Sequence, residues 1–337
     1  MTERISIKIT NINFLLIIMI VVLHSSCAAF CTTGIKPLFT IINTICDSAV
    51  PLYFLLSAYL FYRNVDNDSL LSKMKKRVRT LVIPYLLWGI LMYIYYCFIA
   101  KIPGIGTFFS SSFDFSVSSL PMNILLASCS QVMWFVRCLI IYVIFAPIIL
   151  LLLKRKYVII VAIALLLVLN LAFSFGYSSP LFWAPLYLIG AFLGKFYNRQ
   201  IEEERFLNRI SPRILIIMII IWFAIVIIAS WQGEYSKIYY CYRNMTPFFV
   251  YMISCYVPVL YRRPIRFSNY SFWVFCTHLQ ILQIVRKIGM VVLGKTSFAL
   301  IVVFGITILA TLVISISCGM LVKKILPRVY SVLTGKR

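Results

Sequence analysis

Two histidines are the whole imidazole complement of this 337-residue chain, and both lie inside apolar runs. An imidazole titrates near neutral pH, at about 6.5 when unperturbed, so it can take a proton from a hydroxyl and pass it on. His24 stands near the end of an apolar run at 12–30, Asp47 near the start of one at 41–62, and Arg137 near the start of one at 133–153. Ionisable groups are costly in hydrocarbon, which makes each a candidate for function by default. Together they fit general-base chemistry on a hydroxyl, with His24 as the base, Asp47 or another acceptor orienting it, and Arg137 offering positive charge to a developing oxyanion. The architectural alternative has His24 bonded to a neighbouring helix and Arg137 ion-paired with Asp47 to fix packing. His278 comes after Ser271, Trp273 and Thr277 and before Gln280 and Gln283. That density of polar groups on one helix fits a wet, substrate-facing path or an interhelical contact. Trp134-Phe135 reads either as part of an interfacial aromatic belt or as a wall of the site.

Positioning these groups takes a membrane-spanning scaffold. Apolar runs occur at 12–30, 41–62, 81–100, 133–153, 157–173, 181–197, 214–231, 244–260, 269–290 and 299–322. Each approaches the ~20 residues that an α-helix needs to cross about 30 Å of hydrocarbon. Of 32 Lys and Arg residues, 24 fall at the two termini or in, or at the edge of, alternate gaps between these runs, among them Arg4, Lys8, Lys73, Lys75, Lys76, Arg77, Arg79, Arg262, Lys323 and Arg328. Lys/Arg bias sets orientation, so the expected fold is an all-α, polytopic membrane protein of about ten transmembrane helices with both termini cytoplasmic. His24, Asp47 and Arg137 then share a depth in the outer third, roughly 9 Å from the outer face for His24 at 1.5 Å per residue.

Composition agrees. The chain is 62% hydrophobic and 12% charged, with a mean hydropathy of +0.98, so its main solvent is lipid. The net charge of +23 would suggest nucleic acid in a soluble protein. Here the cations cluster at helix ends, where they hold orientation and meet anionic headgroups, so membrane lipids and not nucleic acid are the expected partners. A single transmembrane domain over 1–337 in the cell membrane is expected, and the first run reads better as a retained span than as a cleaved signal peptide. Most of the ten cysteines sit within spans as small apolar residues, while pairing among Cys27, Cys31, Cys46, Cys129 and Cys241 stays open. The 101–132 loop, with Pro103, Gly104, Gly106 and Asp114, is either a lid or a connector. No phosphate-cradling glycine motif, HExxH or paired-cysteine spacing is present, which argues against a metal or nucleotide hydrolase.

Several stretches, in order along nearly the whole chain, resemble the acyltransferase 3 family of integral membrane acyltransferases. They are Val21-Val22-Leu23-His24; Ala49-Val50-Pro51-Leu52-Tyr53-Phe54-Leu55-Leu56-Ser57-Ala58-Tyr59-Leu60; Lys76-Arg77-Val78-Arg79 leading into Ile83-Pro84-Tyr85-Leu86-Leu87-Trp88; Met133-Trp134-Phe135-Val136-Arg137 with a later Pro147; and Ser271-Phe272-Trp273-Val274-Phe275-Cys276-Thr277-His278. The resemblance implies ten helices and transfer of an acyl group, commonly acetyl, from acyl-CoA as co-substrate to a hydroxyl of a cell-surface or lipid-linked glycan, with no permanently bound cofactor. It implies that His24 is the family's first-span histidine and that Lys76, Arg77 and Arg79 meet the coenzyme's phosphates, although orientation bias explains those charges equally well. Asn13, Ser57, Trp134 and His278 are the expected substrate-facing positions. Asn13 stands where many members carry Arg or Lys, and Ser57-Ala58 where Ser-Gly is usual. A glycan transporter or flippase, and a ligand-binding relative without turnover, are the competing readings.

Overall fold

The computed structural model describes residues 1–31, 34–102, 115–126, 130–204, 207 and 210–335. Pro103, Gly104, Gly106, Asp114, Cys129, Arg205, Arg209, Lys336 and Arg337 lie outside them. The described residues are helical and contain no strand. In chain order the helices are α1 (Glu3–Ser25), α2 (Lys36–Asp47), α3 (Ala49–Tyr62), α4 (Asn67–Arg77), α5 (Ile83–Phe98), α6 (Leu120–Leu125), α7 (Trp134–Ile144), α8 (Ala146–Leu152) and α9 (Lys156–Phe173). They continue with α10 (Pro180–Phe196), α11 (Asn198–Glu202), α12 (Pro212–Gln232), α13 (Lys237–Cys255), α14 (Val259–Arg262), α15 (Ser271–Leu293), α16 (Ser297–Ile325) and α17 (Pro327–Leu333). A π-turn, Val78–Val82, joins α4 to α5.

Every apolar run lies on at least one of these helices. Among the described residues, seven helical segments are long and apolar enough to cross a membrane, or eight if α7 and α8, which are broken at Phe145, count as one span. The expected count of ten is therefore not reached by length and composition. Helix α10 has only 17 residues, and α13 carries Lys237, Arg243 and Asn244 within its 19 residues. Helix starts reflect local chemistry: the hydroxyls of Ser179, Ser211, Ser236 and Thr296 each accept a backbone N–H from the first turn of the adjoining helix. Proline at the first turn of α10 and α12 adds a pre-set φ where no N–H is needed.

The chain divides into two compact units, and the division falls within α1 between Leu23 and His24. The first unit holds residues 1–23, 37–71 and 145–268. Its tightest contact is between α3 and α10, where Gly190 packs on the Leu55 carbonyl and a Cβ on Gly194 would stand 2.6 Å from the Tyr59 carbonyl oxygen. A Cβ on Gly190 would also come within 2.9 Å of the Ala58 methyl. The small residue that the Ser57-Ala58 step lacks is thus supplied by the facing helix. Asn11 ties α1 to the end of α14, donating to the Leu260 and Arg263 carbonyls at 2.9 Å and accepting from the Ile265 N–H at 2.8 Å. Lys8 is fully buried. It does not face headgroups: its Nζ lies 2.9 Å from Glu204 Oε1 and 4.4 Å from the centre of the Tyr251 ring.

The second unit holds residues 24–36, 72–144 and 269–337. Helices α15 and α16 form a hairpin that turns through Gly294 at φ +81°. On α16, Thr307, Thr311, Ser315 and Gly319 recur every four residues and are buried, and Ser315 Oγ lies 2.5 Å from Thr277 Oγ1 of α15. A Cβ on Gly319 would meet Trp273 at 2.8 Å, so glycine there lets the indole approach α16 closely.

Candidate functional site

His24 occupies the last turn of α1 and is exposed. Its ring centroid lies 5.4 Å from that of His278, with the planes tilted by 39°. His278 is fully buried on α15. Its Nδ1 is 2.8 Å from the Phe275 carbonyl oxygen and 3.1 Å from that of Val274. Carbonyl oxygens only accept, so Nδ1 carries the hydrogen, and in the neutral ring Nε2 is left with a lone pair. That Nε2 is buried and has no hydrogen-bond partner. The two histidines therefore form one pair, an accessible imidazole backed by a fixed acceptor.

Sequence reasoning missed the cation that anchors this pair. Arg286 stands little more than two turns beyond His278 on α15, and its Nη1 donates to the carbonyls of His24 at 3.1 Å and Ser26 at 3.2 Å. The last carbonyls of a helix lack intrahelical donors and carry the negative end of its dipole, so a guanidinium there both satisfies and neutralises them. Its Cζ also lies 5.6 Å from the centre of the Phe30 ring. The available signal was a basic residue within the apolar helix that carries His278.

Arg137 bridges two helices of the second unit. Its Nη1 donates to the Leu126 carbonyl at 2.6 Å, at the C-terminal end of α6, which joins that short helix to α7. Beside it, the Phe135 ring lies 6.3 Å from Trp134 and 6.1 Å from Phe275, and Phe275 in turn lies 6.4 Å from His278. The Trp134-Phe135 pair thus reaches the histidines through Phe275.

Asp47, at the end of α2 in the first unit, is fully engaged. Arg243 Nε donates to its Oδ2 at 2.6 Å, and the Tyr177 hydroxyl donates to its Oδ1 at 3.0 Å. Burial first, and then the neighbouring carboxylate, push the Tyr177 hydroxyl well above the usual tyrosine range, so it stays a donor. The Arg243 guanidinium lies 4.5 Å from the ring centres of Tyr177 and Tyr239, and its Nη1 reaches the Glu234 carbonyl at 3.0 Å. The architectural alternative, an ion pair of Asp47 with Arg137, is corrected: the partner of Asp47 is Arg243, a cation that sequence reasoning left in an outer segment. A desolvated guanidinium needs a counter-charge at contact, and Asp47 supplies it.

The remaining expected positions lie on α1, α3, α4 and the π-turn. The Asn13 carbonyl accepts from the Tyr53 hydroxyl, and Ser57 is half-buried on α3. Lys76 and Arg77 close α4, where basic residues suit the helix C-terminus. Arg79 is exposed on the π-turn. Cys27, Cys31, Cys46 and Cys241 carry free thiols.

Compared with known proteins, the chain matches a family model described as an acyltransferase domain over residues 8–320. No curated protein and no solved structure matches it.

Proposed function

The chain belongs to the acyltransferase 3 family, and from that premise we propose that it is a multi-pass membrane enzyme moving an acyl group, acetyl in the simplest case, from acyl-CoA to a hydroxyl of a cell-surface or lipid-linked glycan. The observation that carries this reading is the His24–His278 pair, 5.4 Å between ring centroids. An acyl transfer to an alcohol needs a base near neutral pH, and His24 is an accessible imidazole on the family's histidine position. It takes the hydroxyl proton as the oxygen attacks the thioester carbonyl. The C–O bond forms, the C–S bond breaks, and the imidazolium returns the proton to the departing thiolate, giving an ester and CoA. When His24 is protonated it gains an N–H, and the lone pair on His278 Nε2 is the neutral acceptor that stabilises and aims it. This is the part a carboxylate plays in hydrolytic triads. With both ends in the cytoplasm, as the Lys/Arg bias implies, Lys76, Arg77 and Arg79 meet the coenzyme's phosphates from the inside.

The reading is tested with purified protein in lipid, supplied with acetyl-CoA and extracts of surface glycan. Release of free thiol that depends on the glycan is the expected result, matched by acyl-bearing glycan in the mass spectrum of cells that make the protein and not of cells that lack it. Glycan crossing sealed vesicles without acyl-CoA, and no thiol release, would replace it with a transporter.

Arg286 is the positioning residue of this site. Arg286→Ala frees the last turn of α1 and should lower kcat by about 10²-fold, the scale of an ångström's misplacement of a catalytic group, with little change in KM. Arg286→Lys keeps a charge and a donor at the carbonyls and should recover part of the loss. Steady-state thiol release from the two variants measures the difference.

A further inference from the structure

The family match ends at residue 320, yet the chain beyond it folds back onto the basic turn of the second unit. Helix α17 buries Tyr330 and Leu333. The Trp88 indole N–H donates to the Leu333 carbonyl at 3.0 Å, the Tyr330 ring lies 5.4 Å from Trp273, and the Tyr330 hydroxyl donates to the Asn269 carbonyl at 3.4 Å. Gly335 then takes φ +68°, and a Cβ on it would stand 2.7 Å from the Thr80 carbonyl oxygen and 2.8 Å from the Thr80 Cα. Glycine is needed there twice over, for the positive φ and for the absence of space.

Thr80 is the centre of the π-turn, and the cause of that turn is local. Pro84 has no N–H, so the regular α bond to the Thr80 carbonyl cannot form, and the helix widens until Ile83 N–H reaches the Val78 carbonyl five residues back. The widened turn carries Arg79 soon after Lys76 and Arg77. Residues outside the family domain thus press on the backbone of the residue next to Arg79. A second observation points to a ligand. Trp273 Nε1 is buried with no hydrogen-bond partner, beside Trp88 at 5.5 Å and Tyr330 at 5.4 Å between ring centres. A buried donor left unpaired is costly, and a ligand's acceptor would remove that cost.

We propose that segment 327–335 is a working part of the donor site: it fixes the backbone of the π-turn so that Lys76, Arg77 and Arg79 receive the nucleotide diphosphate end of a thioester, and it backs Trp273, whose N–H serves an amide carbonyl along the thioester's arm. This rests on acyl-CoA being the donor. It accounts for a glycine held between a left-handed backbone and a neighbouring peptide, in a stretch that the family domain does not include.

The experiment compares wild type, Gly335→Ala and Trp88→Phe on two donors, an acyl-CoA and the matching acyl-pantetheine that lacks the nucleotide. Trp88→Phe removes the bond to the Leu333 carbonyl and trims the indole beside Trp273, and it serves where the added methyl of Gly335→Ala prevents folding. Gly335→Ala should raise KM for acyl-CoA about tenfold, the scale of a forced left-handed residue, with kcat within about twofold. Trp88→Phe should act in the same direction and less strongly. Both variants should lower kcat/KM for acyl-pantetheine much less than for acyl-CoA, because only the coenzyme carries the nucleotide that the basic turn receives. An unchanged KM for acyl-CoA in both variants overturns the proposal, as does equal damage on the two donors, which would mark a purely structural role. A wild type inactive on every thioester strikes the acyl-CoA reading itself, and the inference falls with it.

Discussion

Replacing His24 by alanine should cut glycan-dependent thiol release by about 10²–10⁴-fold, the usual contribution of a positioned base, while leaving the protein as stable as wild type. The two halves of that result have separate causes. The imidazole is exposed at the last turn of α1, so removing it empties no packed core, and the Arg286 bonds that hold this turn go to the His24 and Ser26 carbonyls and not to the His24 ring. The proton, by contrast, loses its acceptor. His278 cannot take over: its Nδ1–H is committed to the Val274 and Phe275 carbonyls and the ring is fully buried. His278→Ala should therefore behave differently, losing stability together with activity, because it leaves a cavity against Phe275. Thiol release measured beside a melting curve separates the two variants. A His24→Ala protein that releases CoA at the wild-type rate would take His24 out of the chemistry.

How much of this was legible beforehand depends on whether a feature is written in neighbouring residues or across the chain. Apolar runs are local, and they coincide with helices from α1 to α16. The break between α7 and α8 was also local in principle, since Pro147 sits at the start of α8, but a hydropathy window averages over it. The shortfall in spanning helices has a related cause: α13 reads as apolar only when its first seven residues, Lys237 and Arg243 among them, are set apart from the rest. The family was legible from the order of its motifs, and the match over 8–320 agrees with it. Partners were not legible. His24 and His278 are 254 positions apart, and Asp47 and Arg243 are 196 apart. A shared depth in a membrane says which groups are able to meet, but several cations were available to Asp47, and only helix packing selects among them. The same holds for Gly190, whose role exists only because α3 offers Ala58 and the Leu55 carbonyl to it.

Asp47→Asn should destabilise the protein by about 3–5 kcal/mol, because it leaves the Arg243 guanidinium buried without a counter-charge. Both Asp47 oxygens are engaged, by Arg243 Nε and by the Tyr177 hydroxyl. Asparagine keeps one acceptor and presents an amide N–H toward a cation or a donor, so the change loses a bond as well as the charge. The double variant Asp47→Asn with Arg243→Met removes the stranded cation and should recover much of the loss, since paired removal of a buried ion pair is often near neutral. Thermal melting in detergent gives the stability terms, and their non-additivity is the measure of the pair. Activity then decides between the two roles that the sequence left open to this carboxylate. If Asp47 serves only its pair with Arg243, the rescued double variant turns over acyl-CoA at nearly the wild-type kcat. If Asp47 also orients the base, kcat stays low, by a factor that no recovery of stability repairs. A melting curve restored to wild type with activity still lost would therefore return Asp47 to the reaction.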